Sequence, residues 1–289
     1  MLYVVGAYLM WGFFPAYFPL LLPASPLEIL AHRVLWSAVL MVAVLTASRG
    51  WGELARADRR TWARLAAAGV LVTANWGIYV LAVNSSQVAS AALGYFINPL
   101  VSVLLGLVIL RESLTRGQVT SVAVAGVGVA WLTFQAGEPP LVALGLAFTF
   151  GFYGLIKKRV SLSATASLTA ETLVMTPVAL AYLLWLGPEN TFATEGNSHT
   201  VLLMLAGVIT ALPLFCFGKG AKELPLSTIG MLQYMTPVMQ LLWALLVTRE
   251  TLSAPEWVGY VVILVAVAIF LTDLIRRRRR VPRPARARL

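Results

Sequence analysis

The chain has 289 residues, of which 59% are hydrophobic and only 12% charged, with a formal net charge of +10. Soluble domains carry about 25% charged residues, so this chain has too few charges to cover a water-facing surface, and its mean hydropathy of +0.82 agrees. Nucleic acid is excluded as a partner, because the basic residues stand in short clusters between apolar runs and in a tail rather than across one folded face.

The first apolar run, residues 2–22, is longer than a signal-peptide h-region and lacks both a basic n-region and a small-residue cleavage site, so it reads as a membrane span. Nine more follow at 27–47, 64–83, 87–110, 117–135, 140–157, 165–187, 200–219, 226–248 and 255–275. Most are close to the ~20 residues that cross ~30 Å of hydrocarbon as a helix. The third and fourth runs nearly merge at Asn84-Ser85-Ser86. The predicted fold class is an all-α integral membrane protein with ten transmembrane helices. A single cysteine, Cys216, leaves no intramolecular disulfide and no cysteine cluster for a metal.

The basic residues orient these spans. With the N-terminus cytoplasmic, the loops after even-numbered helices and the tail face the cytoplasm. Of the 22 Lys and Arg, only Arg33 and Arg249 fall elsewhere. The positive-inside rule then places both termini inside, in the cytoplasmic membrane. The tail, residues 276–289, runs from Arg276 to Arg280 and on through Arg283, Arg286 and Arg288. It is expected to anchor the last helix and to touch anionic lipid headgroups.

The chain also repeats itself. A shift of 138 residues lays Asn98-Pro99 on Thr236-Pro237 and Arg111-Glu112-Ser113-Leu114 on Arg249-Glu250-Thr251-Leu252. A shift of 139 lays Trp11-Gly12-Phe13-Phe14 on Phe150-Gly151-Phe152-Tyr153, and Asn84 on Glu223. The predicted units are residues 1–137 and 138–275, five helices each. Five is odd, so the second unit enters the membrane inverted. Inverted repeats mark secondary transporters, with the binding site near the midplane between the halves.

These features carry a family resemblance. The duplicated five-helix unit, the mid-helix proline and the Arg-Glu-x-Leu closing the fourth and ninth helices resemble the EamA-type drug/metabolite transporter superfamily. More narrowly, Glu28-Ile29-Leu30-Ala31-His32-Arg33, Asn75-Trp76 with Val83-Asn84, and Gly94-Tyr95-Phe96-Ile97-Asn98-Pro99-Leu100 are similar to RarD-type proteins, named for chloramphenicol sensitivity. The resemblance covers nearly the whole chain except the tail. It implies ten helices around a central cavity and export of small metabolites or drugs, with no substrate carried over.

Polar residues inside spans mark the candidate site, because burying them in lipid is costly. Glu28 and His32 share a helix face, and Arg33 follows, about two turns inside the span. Arg33 either snorkels to headgroups or faces a wet cavity, anchoring an anionic substrate group or pairing with a carboxylate. Glu171, which the 139 shift lays on His32, is a second candidate. It either pairs structurally with a neighbouring helix or carries a proton through a burial-raised pKa. Asn75, Trp76, Tyr79, Gln87, Tyr95 and Asn98 in the first half, with Gln233, Tyr234, Gln240 and Trp243 in the second, supply amides and rings. These suit a cavity for planar or amphipathic solutes, or bond helices together. Pro99 and Pro237 free the carbonyls of Tyr95 and Gln233 and are expected to break or bend their helices.

No cofactor or metal is expected. Gly126-x-Gly128 follows no strand and Gly218-Lys219-Gly220 lacks the phosphate-loop spacing. An intramembrane lipid-processing enzyme needs a carboxylate cluster, a Ser/His pair or a His-rich loop, and the only histidines are His32 and His199. The predicted function is therefore non-enzymatic transport of a small-molecule substrate by alternating access. A lipid flippase or an intramembrane lipid-processing enzyme stays open as the alternative, as does the question of a homodimer.

Overall fold

A computed structural model describes residues 1–84, 87–137, 139–249 and 251–280. Ser85, Ser86, Glu138, Glu250 and the tail beyond Arg280 lie outside the described residues. Within them the chain is helical, without strands, and ten helical stretches are long and apolar enough to cross a membrane.

Local sequence sets the ends of these helices. Proline breaks the first span into α1 (Leu2–Gly12), α2 (Phe14–Tyr17) and a 3-10 turn (Phe18–Leu21). Pro15 and Pro19 each lack an N–H to continue the ladder. Ser25 starts α3 (Pro26–Ala47) with a capping box: its hydroxyl accepts from Glu28 N at 3.3 Å, and Glu28 reaches back to Ser25 N at 3.4 Å. The short α4 (Trp51–Ala55) leads to Asp58, which caps α5 (Arg59–Asn84) by accepting from Thr61 N at 2.9 Å. Hydrogen bonds from Thr61 hold the Asp58 carboxyl below its usual range. Next come α6 (Val88–Ile109), α7 (Arg116–Ala136), α8 (Leu141–Arg159), α9 (Ala164–Leu186) and α10 (Asn197–Glu223). The ninth span is two helices, α11 (Leu226–Gln233) and α12 (Met235–Leu246), and α13 (Ala254–Arg280) is the last.

The two matched prolines behave differently. Pro237 falls in the first turn of α12, where a missing N–H costs nothing, and the helix ends at Gln233, whose carbonyl loses its partner. Pro99 stays inside an unbroken α6.

The chain forms two compact units. The first holds residues 1–112 and 139–250, hence eight of the spans. Its main seams are α6 on α8 and α11, α3 on α9 and α10, α5 on α8, and α1 on α10. Glycines let backbones approach, as between helices in lipid generally. A Cβ on Gly230 would lie 2.8 Å from Pro99 O and from Ser102 Cβ, so α11 rides directly on α6. Large apolar side chains such as Val108, Val178 and Leu184 point outward, as lipid-facing residues must.

The second unit holds residues 113–138 and 251–289, that is α7 and α13. Thr115 and Gln118 form a capping box at the start of α7. Ser121 donates to Ala266 O at 2.7 Å, and Thr115 Oγ1 donates to Asp273 Oδ2 at 2.9 Å. These are the fifth helices of the two sequence repeats.

Candidate functional site

A cavity of about 410 Å³ opens within the first unit. Its walls come from the C-terminal part of the first span (Trp11, Phe14, Phe18), the first third of α3 (Arg33), and the last third of α5 (Asn75, Trp76, Tyr79). Tyr95 and Asn98 of α6, Phe150 of α8, and Gln233, Thr236, Pro237 and Gln240 of the broken ninth span complete them. Both sequence halves thus contribute.

The proline breaks build part of this wall. Without an N–H on Pro15, the carbonyl of Trp11 loses its helical donor, and Gln240 Nε2 donates to it at 3.3 Å. Thr236 Oγ1 donates to Tyr8 O at 3.0 Å, so α12 is fastened along α1. Asn75 is also a fastener: its Nδ2 donates to Leu146 O at 2.7 Å and to Thr149 Oγ1 at 2.9 Å, tying α5 to α8.

Arg33 is the charge at the centre. Its Nε donates to Thr210 Oγ1 at 2.9 Å. Its guanidinium carbon lies 4.2 Å from the Trp76 ring centroid, 5.3 Å from that of Phe18 and 5.6 Å from that of Phe14. Among the described residues it forms no ion pair with a carboxylate. Aromatic faces offset part of the cost of burying this cation, by about 2 kcal/mol where desolvated. They do not neutralise it. Two amides add polar groups: Asn98 Oδ1 and Gln233 Oε1 are buried without a hydrogen-bond partner.

Trp11 and Phe150, equated by the 139 shift, meet edge to face at 5.6 Å and 81°. Phe96 and Tyr234, equated by the 138 shift, also touch, with the Tyr234 hydroxyl donating to Phe96 O at 3.2 Å. The backbone at Arg111 and Arg249, again a matched pair, takes the same positive φ of 54°.

Nine of the sequence candidates, Arg33, Asn75, Trp76, Tyr79, Tyr95, Asn98, Gln233, Pro237 and Gln240, therefore gather at one cavity. Others do not line it. Tyr234 is buried beneath the wall, and the Pro99 carbonyl faces Gly230. His32, about 100° round the helix from Arg33, stacks on Phe192 at 5.0 Å and lies 3.9 Å from Glu28 Oε1. That carboxylate oxygen accepts from Thr191 N at 2.7 Å and Thr191 Oγ1 at 2.8 Å, so this face of α3 fastens the loop before α10.

Glu171 lies behind the cavity in a buried network with Lys157, whose Nζ is 2.7 Å from Glu171 Oε1 and 2.7 Å from Ser167 Oγ. Ser167 Oγ donates to the same carboxylate oxygen at 2.6 Å, and Tyr153 to the other at 3.3 Å. Trp76 borders both this region and the cavity.

Lys157, Trp11, Phe14 and Phe18 were missed as pocket or network residues by sequence reading. Lys157 opens the Lys-Lys-Arg block that reads as a cytoplasmic cluster. Only the helical continuation of α8 to Arg159, turning about 100° per residue, points the first of the three inward. The aromatics had one signal, the 139-residue match of Trp11 to Phe150, which sequence alone reads only as repetition.

At the Met1 end of this unit, the Glu112 carboxylate accepts from Leu226 N at 2.7 Å and, through its other oxygen, from Ser227 N at 2.9 Å and Ser227 Oγ at 2.8 Å. The first copy of the repeated Arg-Glu-x-Leu motif thereby caps α11 and closes the α6–α11 seam.

Ten apolar spans and, within the first unit, an aromatic and polar cavity lined by six of them define a multi-pass membrane protein of the solute-transporter class. Comparison with known proteins gives the family. The EamA-like transporter family matches the chain twice, over residues 1–134 and 139–272. A protein named RarD from Streptomyces exfoliatus is 44% identical, over 100% of this chain and 92% of that protein. An uncharacterized transporter, YojE, of Bacillus subtilis (strain 168) is 44% identical over 96% of this chain and 95% of its own. A solved structure aligns with a TM-score of 0.74 over 96% of this chain and 98% of its own, at 18% identity, and shows the same fold. The chain belongs to the EamA-like transporter family, as a RarD-like member.

Proposed function

We propose that the protein is a secondary transporter that exports small metabolites or drug-like solutes across the cytoplasmic membrane by alternating access. The observation that carries this reading is the Arg33 cavity, lined by both halves and holding a cation that no described carboxylate answers. The contacts between repeat-equivalent residues, Trp11 with Phe150 and Phe96 with Tyr234, support it further. Residues on the axis of a two-fold duplication meet their own counterparts, and such an axis is what inverted transporter repeats share. The Glu112 cap on α11 serves as the closed inner gate, while the cavity lies toward the opposite ends of the helices.

The gate gives a test that needs no substrate. Glu112→Ala removes the acceptor for Leu226 N and Ser227 N and is expected to weaken the inner seam. In a background where Cys216 is serine, labelling of Thr228→Cys should then rise while labelling of the cavity residue Phe18→Cys falls. A parallel rise at both positions, or no change at either, overturns alternation. Orientation has its own check: a reporter active only outside the membrane should give signal when fused after Glu195 and none when fused after Arg59, Lys158 or Arg280.

A further inference from the structure

Among its described lining residues the cavity holds one ionised side chain, Arg33, and no Asp or Glu. Arg33 is only 7% exposed. A buried cation without an anion is unfavourable, so a ligand that brings the anion gains the pairing the protein lacks. Two acceptors are likewise unanswered. Asn98 and Gln233 are 3% and 6% exposed, and the oxygen of each meets no donor. Their neighbours Thr236 Oγ1 and Gln240 Nε2 donate instead to the backbone of α1. A buried acceptor left unpaired discriminates strongly in favour of a ligand that brings an N–H or O–H. Trp11, Trp76 and Phe150 supply flat apolar walls between these polar points, and about 410 Å³ is within the size range of small-molecule sites.

We propose that the ligand of this cavity is an aromatic acid whose carboxylate pairs with Arg33 and whose ring carries, away from that carboxylate, a neutral hydroxyl or amide donor for Asn98 and Gln233. This rests on the reading of the cavity as the transport site. The donor is neutral for an electrostatic reason. An ammonium adds a second cation to a cavity with no carboxylate, so a zwitterion leaves the Arg33 charge uncancelled overall. An uncharged analogue leaves both the charge and its cost in place.

Calorimetric titration of the detergent-solubilised protein tests this with four probes: para-hydroxybenzoate, benzoate, para-hydroxybenzamide and para-aminomethylbenzoate. Para-hydroxybenzoate is expected to bind at least about tenfold more tightly than the neutral benzamide. It should also bind more tightly than the zwitterion. Arg33→Gln should erase the preference for acid over amide, and Arg33→Lys should keep part of it, because the charge survives without the planar fork. Asn98→Leu or Gln233→Leu should instead erase the advantage of para-hydroxybenzoate over benzoate while the preference for acid over amide stays. Only variants that elute as a single species are compared, and Arg33→Lys stands in if Arg33→Gln does not. Equal binding of acid and amide, tighter binding of the zwitterion, or no binding of any probe overturns the ligand class. None of these results touches alternating access, which the Glu112 labelling test decides without an aromatic acid.

Discussion

Arg33→Gln is expected to cut transport of an anionic solute in proteoliposomes about ten- to a hundredfold, the worth of a charged hydrogen-bonded contact, while barely moving stability. The stability half follows from opposing contributions. Removing the guanidinium ends a burial penalty of several kcal/mol. It also loses stacking on Trp76 worth about 2 kcal/mol and the Thr210 bond, worth about 1.5–3 kcal/mol. These nearly cancel, so the thermal midpoint of the solubilised protein should stay close to that of the parent. A large loss of stability with transport intact would make Arg33 a packing residue and remove it from the site.

Glu171→Gln should do the reverse. Lys157 Nζ is held by the Glu171 carboxylate at 2.7 Å, and both side chains are almost fully buried. Neutralising one partner strands the other charge, which costs about 3–5 kcal/mol. Replacing both, as Lys157→Met with Glu171→Leu, should recover most of that loss, because an apolar pair of similar volume avoids desolvating either ion. The difference between the double variant and the sum of the singles measures the coupling. Should Glu171→Gln instead match the parent in stability and lose only the pH response of transport, the carboxylate is a proton carrier rather than a helix fastener. The two variants thus separate a residue kept for a ligand from one kept for the fold.

Much of this protein follows from sequence by itself. The ten spans are set by the length of apolar runs against the thickness of hydrocarbon, a constraint that needs no tertiary information. The resemblance to the family rests on local words such as Gly-Tyr-Phe-Ile-Asn-Pro-Leu, and the chemical kind of the candidate site on Arg33, Trp76, Tyr95 and Asn98, polar and aromatic groups that lipid does not tolerate idly. What sequence does not contain is direction around a helix once neighbours compete for every face. Each helix here is apolar nearly all round, so periodicity cannot say which side meets the cavity, the lipid or another helix. Only the packing decided that Arg33 faces the cavity while His32, one residue earlier, fastens the loop carrying Thr191. Only the packing brought Lys157 inward to Glu171, fourteen residues away, and set Trp11 against Phe150. The two prolines make the same point. Both matched positions free a carbonyl, but α6 continues through Pro99, with α11 packed against it at Gly230, whereas the ninth span breaks before Pro237 and Gln233 lines the cavity wall. A residue's type is written in the chain, and its partner is a property of the surfaces that the folded helices bring together.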